Sequence, residues 1–141
     1  MESKMPVRVL VIDDDPAMTE LLALILRTKG FEVLVANSGA DGVKSICNSA
    51  PEVVLLDLMM PEMDGWRVCQ KVRECSNVPI IVLSALDSPG MVASALDAGA
   101  DDYLIKPVPS SVLTAHLRKL TRRVAKNEKL NLPIHTAAIA R

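Results

Sequence analysis

Aromatic side chains are nearly missing from this chain. Phe31, Trp66 and Tyr103 are the only ones in 141 residues, although half of all residues are hydrophobic. Any core must therefore be aliphatic, built from Val, Leu, Ile, Ala and Met. Cysteine is equally scarce. Cys47, Cys69 and Cys75 are odd in number and follow no metal-ligand spacing, so free thiols in a reducing compartment are expected. No apolar stretch approaches the length of a bilayer span, and no secretory segment follows Met1. The expectation is a cytoplasmic protein with no membrane contact. Charge of neither sign prevails: 16 basic residues face 17 acidic ones, which points to neither nucleic acid nor membrane as a partner. Internal repeats and low-complexity segments are absent as well.

What is present is two apolar runs that each stop at aspartate. Val9-Leu10-Val11-Ile12 leads into Asp13-Asp14-Asp15, and Val53-Val54-Leu55-Leu56 leads into Asp57. A short continuous apolar run bounded by turn residues reads as a buried parallel strand. Ligands of open α/β sheets bind just beyond the carboxyl ends of such strands. If the two strands are neighbours, carboxylates crowd into one crevice, at a cost of several kcal/mol unless one neutralises or a cation intervenes. With only hard oxygen donors in reach, Mg2+ is the natural cation.

Strands and helices alternate five times. Strands are expected at 7–12, 31–36, 53–57, 79–84 and 102–105, the second being the most polar and suited to a sheet edge. Helix starts are marked by Asp15-Pro16, by Ser38 with Asp41 in capping-box spacing, by Asp64-Gly65 and by Ser88-Pro89. Gly30 and Gly99 fall where the first and fourth helices should end. The last helix is expected from about Ser111 to about Lys126. Strict alternation with right-handed crossovers gives an α/β doubly wound parallel sheet covered on both faces. The expected organisation is a tail at 1–5, one domain at 6–126, and a tail or linker stub at 127–141.

Asp15, ahead of Pro16, reads as a helix cap, which leaves Asp13 and Asp14 at the strand end proper. The long, partly apolar loop Leu58–Gly65 follows Asp57, and its carbonyls offer further oxygens. The fourth strand ends in Ser84 and the fifth in Lys106-Pro107. Acids for a metal, with a hydroxyl and an ammonium for phosphate oxygens, are the parts of a phosphoryl-transfer site.

Taken in order, Val-Ile-Asp-Asp-Asp-Pro (11–16), Leu-Leu-Asp-Leu-Met-Met-Pro-Glu-Met-Asp-Gly (55–65), Leu-Ser-Ala (83–85) and Gly-Ala-Asp-Asp-Tyr-Leu-Ile-Lys-Pro (99–107) resemble the receiver domain of two-component response regulators over residues 6–124. The pattern is nearest to the class with winged-helix DNA-binding domains. The resemblance implies a flavodoxin-like fold with strand order 2-1-3-4-5. It also implies that Asp57 accepts a phosphoryl group from a sensor histidine kinase or a phosphotransfer protein. Asp13, Asp14, Asp57 and the Met59 backbone carbonyl would then hold Mg2+. Ser84 and Lys106 would bind phosphate oxygens, Tyr103 would be the switch aromatic, and the Lys106-Pro107 bond would be cis. The output face would be helix 4, strand 5 and helix 5, serving a homodimer, a partner or an effector domain. Beyond self-dephosphorylation no enzymatic activity is implied.

Departures from the family pattern are Val108 in place of a phenylalanine, and Val92, Val112 and His116 where the winged-helix class carries charged dimer contacts. Apolar contact is the alternative way to hold such a dimer. The basic cluster Arg118, Lys119, Arg122, Arg123 and Lys126 reads as a solvated helix end rather than a DNA surface. One enzyme reading competes: a haloacid-dehalogenase-like phosphatase with its aspartyl phosphate on Asp13. Pro16 and the order of Asp101-Asp102 before Lys106 fit it poorly.

Overall fold

A computed structural model describes residues 5–60 and 64–122. Among them lie five strands and five helices in strict alternation: β1 (Arg8–Ile12), α1 (Pro16–Thr28), β2 (Glu32–Ala36), α2 (Gly39–Ser49), β3 (Val53–Leu56), α3 (Gly65–Arg73), β4 (Ile80–Ser84), α4 (Pro89–Ala98), β5 (Asp102–Ile105) and α5 (residues 110–122). Most of the tail at 1–5, the expected end of the last helix with Arg123 and Lys126, and all of 127–141 lie outside the described residues.

All strand pairs are parallel, in the order β2-β1-β3-β4-β5. The expected flavodoxin-like order is thus observed, with the polar second strand at one edge. The uninterrupted apolar runs have a simple cause. Alternate residues of each strand feed different cores. Leu10, Ile12, Val54, Leu56, Ile80 and Val82 face α2, α3 and α4, whereas Val9, Val11, Val53, Leu55, Ile81 and Leu83 face α1 and α5. Both cores are aliphatic, and Phe31 is the one buried aromatic among the described residues.

Strand limits fall within one residue of expectation, and the differences have causes. Pro79 has no N–H to donate, so it joins the sheet only by accepting from Val54 (2.9 Å). Phe31 gives its amide to the Leu26 carbonyl at the end of α1 instead of to a strand. The expected caps are in place. The side chains of Asp15, Ser38, Asp64 and Ser88 accept from the amides of Ala17, Asp41, Arg67 and Met91. Gly30 and Gly99 adopt positive φ, 93° and 125°, just past α1 and α4.

Gly65 matters most for the site. Its amide donates to Leu58 (2.9 Å), pulling the start of α3 against the loop that leaves Asp57. A methyl group there would meet the Leu58 Cα at 2.6 Å and the Asp57 carbonyl oxygen at 2.8 Å. Neither backbone atom has anywhere to go. Gly65→Ala should therefore destabilise the protein by roughly 1–3 kcal/mol in urea unfolding, in the range of overpacked cores. An unchanged midpoint would mean that the loop shifts freely.

Candidate functional site

Three aspartates meet at the carboxyl edge of the sheet. The chain leaves β1 toward β2 on one side, while β3 lies on the other, so Asp13 and Asp57 border the topological switch point. Backbone bonds fix both residues. Asp13 N–H donates to Ala36 (3.1 Å) and Asp57 N–H to Ile12 (3.0 Å), which extends the ladders one residue past each strand. Oxygens of Asp13, Asp14 and Asp57 lie within 4.8 Å of one another. Asp13 is buried, Asp14 exposed and Asp57 half-buried.

The cluster is underneutralised. Lys106 Nζ reaches Asp13 Oδ2 at only 3.9 Å, and an amide hydrogen bond from Asp15 (3.0 Å) is the other support of that carboxylate. Burial, with the Asp57 charge adding to it, raises the Asp13 pKa from 3.8 to about 6 against these two stabilising contacts. Asp57 accepts the Met59 amide on Oδ1 (3.1 Å), so the first turn of the loop is closed by the aspartate's own side chain. A set of hard carboxylate oxygens with this much uncompensated charge fits a divalent cation.

The remaining expected residues gather in two groups. Lys106 stands beside Asp13, across the Lys106-Pro107 bond, which is cis as expected. Its amide donates to the Ser84 carbonyl (2.8 Å), so the lysine and the serine are joined through the sheet edge. Ser84 itself is buried and accepts the Leu86 amide on Oγ (3.1 Å), while Tyr103 donates its hydroxyl to the Leu86 carbonyl (2.6 Å). Leu86 thus links Ser84 to Tyr103 through its own two backbone groups. The sequence offered no signal for that link, nor for Asn37. The Asn37 amide holds the Asp13 carbonyl (2.9 Å) and the buried Thr19 hydroxyl (3.0 Å), bracing the first aspartate from behind.

On the face of α4, β5 and α5, Asp102 Oδ2 accepts a hydrogen bond from His116 Nδ1 at 2.6 Å. Of the basic cluster, Arg118 is structural: it stacks on Phe31 (5.2 Å to the ring centre) and donates to the Lys29 carbonyl (3.0 Å). Val108 packs at the margin of the α1/α5 core.

The fold and these strand-end residues define a class, and the comparisons agree with it. The family model described as response regulator receiver domain matches residues 9–118, and the chain belongs to that family. The response regulator MprA of Mycobacterium sp. (strain KMS) is 44% identical over 133 residues, which is 94% of this chain and 58% of that protein. The DNA-binding response regulator MtrA of Mycolicibacterium smegmatis is 41% identical over 116 residues, 82% of this chain and 51% of that protein. The chain thus spans somewhat more than half the length of these relatives. Among solved structures, a CheY-like receiver domain protein from Methanospirillum hungatei superposes with a TM-score of 0.82 at 28% identity, covering 86% of this chain and 98% of that one. The BeF3-activated receiver domain of Klebsiella pneumoniae RstA gives 0.78 at 35% identity, covering 82% and 98%. The phosphatase reading finds no support in any of these matches. No described helix is long and apolar enough to cross a membrane.

The pH dependence of the metal-free protein follows from Asp13. Its pKa is raised on folding, so its contribution to stability is complete below about 3.8 and is lost as pH rises through about 6. In a chelator, Asp13→Asn should match the parent near pH 4 and exceed it by about 1–3 kcal/mol above pH 7. Mg2+ should raise the melting temperature of the parent, and more at pH 7.5 than at pH 5, where protons compete for the same oxygens. Melts indifferent to Mg2+ at both pH values would remove the metal site.

Proposed function

We propose that Asp57 is the phosphoacceptor of this receiver domain, taking its phosphoryl group from a sensor histidine kinase or a phosphotransfer protein. The single observation that carries this is the placement of Asp57. It lies at the end of a central strand, half-buried, among carboxylates close enough to share one cation and on the same edge as Lys106. Asp13, Asp14, Asp57 and the Met59 carbonyl are the residues that would hold Mg2+. When bound, the ion offsets the repulsion between a carboxylate nucleophile and an anionic phosphoryl group. Lys106 supplies a second positive charge for the phosphate oxygens, and Ser84 a hydroxyl donor.

The link through Leu86 gives that chemistry a readout. A phosphoryl group that draws the Ser84 hydroxyl toward Asp57 competes with the Leu86 amide for the same oxygen. Moving Leu86 in turn disturbs its carbonyl, the acceptor of Tyr103. The aromatic ring lies on β5, so the disturbance reaches the face of α4, β5 and α5. Removal of the phosphoryl group by the domain itself belongs to the same proposal. Met59 and Leu86, both apolar, flank the approach and orient no water by hydrogen bonding. A cytoplasmic location, a receiver unit at 6–126 and a tail or linker at 127–141 complete this reading. DNA contact is left to whatever module such a linker would join.

Asp57→Asn keeps the shape of the side chain and removes the nucleophile. It should abolish labelling by acetyl phosphate while leaving the melting temperature within a few degrees of the parent. Undiminished labelling would place the acceptor elsewhere, and mass spectrometry of tryptic peptides would locate it.

Phosphorylation is further proposed to expose a homodimer or partner surface on the α4, β5 and α5 face. Met91, Leu96, Ile105 and Val112 are all exposed there, beside the half-buried Val92. Asp102 is already engaged by His116 within the chain. Association driven by apolar area is insensitive to ionic strength. Sedimentation of the phosphorylated protein should give the same dimer constant within about threefold between 0.05 and 0.5 M salt. A steep loss of dimer with salt would put charges such as Asp102 and Arg122 in control.

A further inference from the structure

At the opposite edge of the sheet from the carboxylates, an open cavity of about 540 Å³ is bordered by Glu52, Asn77, Val78 and Pro79. These residues precede or begin the approach to β3 and β4, so the cavity lies at the amino ends of the strands. Two cysteines stand in its wall. Cys47, in the last turn of α2, and Cys75, just past α3, are exposed, and their sulfurs are 3.2 Å apart in a thiol–thiol hydrogen bond. Nothing in the phosphoryl chemistry uses them. The third thiol, Cys69, is fully buried in the α2/α3/α4 core, where burial pushes its pKa up to about 11.

We infer that Cys47 and Cys75 form a dithiol site that reacts with small-molecule disulfides, closing reversibly to an intramolecular disulfide. Three observations carry this. The sulfurs are already paired across two helices and need to approach by little more than about 1 Å to reach the covalent distance of about 2.05 Å. Both are exposed. The adjoining cavity admits a small thiol compound beside them.

Either sulfur can donate this hydrogen bond, so the exchange is symmetric in principle and can begin at Cys47. In the first step the Cys47 thiolate forms a bond to one sulfur of RSSR. The RS–SR bond breaks, and one RSH leaves with the proton that Cys47 has given up. In the second step the Cys75 sulfur attacks that of Cys47, the Cys47–SR bond breaks, and a second RSH leaves with the proton of Cys75. Two protein thiols are oxidised by two electrons, and RSSR is reduced to two RSH. The closed segment spans 28 residues of sequence separation and contains all of β3 and α3.

Glutathione disulfide is a suitable probe on the whole chain. The free-thiol count of the reduced protein should fall from three to one. Peptide mapping should find Cys47 joined to Cys75 with the loss of two hydrogens, and dithiothreitol should restore all three thiols. The melting temperature of the oxidised form should rise by roughly 10 °C, as expected for a crosslink closing a loop of this length. Cys75→Ser should stop at a stable glutathione adduct on Cys47, whereas Cys69→Ser should oxidise like the parent. The inference is overturned if the parent itself stops at an adduct, keeps three thiols, or crosslinks into dimers through either cysteine. Those readings come from the unmodified chain and stand whether or not a variant folds.

Discussion

Repulsion between carboxylates at the end of β1 and the end of β3 is the constraint around which the rest of this molecule is arranged. Neither aspartate can move away. The amide of each is tied to the neighbouring strand, and the strands are buried on both faces. The repulsion is therefore not relieved by rearrangement but held, offset in part by the Lys106 ammonium 3.9 Å from Asp13 and, below about pH 6, by a proton on Asp13. A folded core that tolerates such a cluster has to be well packed elsewhere, and the two continuous aliphatic layers supply that. A surface placement of the same residues would relax into solvent and carry no chemistry.

This arrangement also bears on where the residues proposed for switching sit. Ser84 and Lys106 are on successive strand ends, joined by a backbone hydrogen bond that holds both at one rim. Tyr103 lies two strands from Asp57 and touches nothing in the carboxylate cluster. Its connection runs instead through a single residue, Leu86, whose amide and carbonyl point to different partners. Such a relay is short and made of hydrogen bonds with few alternatives, which suits an all-or-none change better than a graded one.

Much of this was legible in the residue order. Strand positions came from apolar runs, helix starts from caps, and the site from side chains that recur just past each run. Strand order and the cis Lys106-Pro107 bond came only with the family resemblance. Which aspartate is buried was not legible, because Asp13 and Asp14 are neighbours of identical chemistry and only the pleat decides between them. Asn37 behind Asp13, the Asp102–His116 pair and the two facing thiols were missed for a common reason. Each joins residues far apart in sequence, and none belongs to a periodic pattern. Arg118 was read as part of a solvated helix end, yet it covers Phe31 and the end of α1, since a long side chain can bury its stem while its charge stays wet.

Arg73 marks a further asymmetry. From the end of α3 its guanidinium donates to the carbonyls of Gly99, Ser76 and Val78 and to the carboxylate of Asp101, which also accepts the Ile80 amide. Gly99 can have no side chain there, because a Cβ would stand 2.8 Å from Arg73 Cγ. One planar cation thus rivets the end of α3, the end of α4 and the beginnings of β4 and β5 into a single joint. Lysine, with its point charge, has no geometry to replace it. The sheet is in effect a cantilever, clamped at the rim where its strands begin. A displacement set off at the acidic end of β4 or β5 is therefore spent in the loops that leave those two strands, because their beginnings are tied to the ends of α3 and α4.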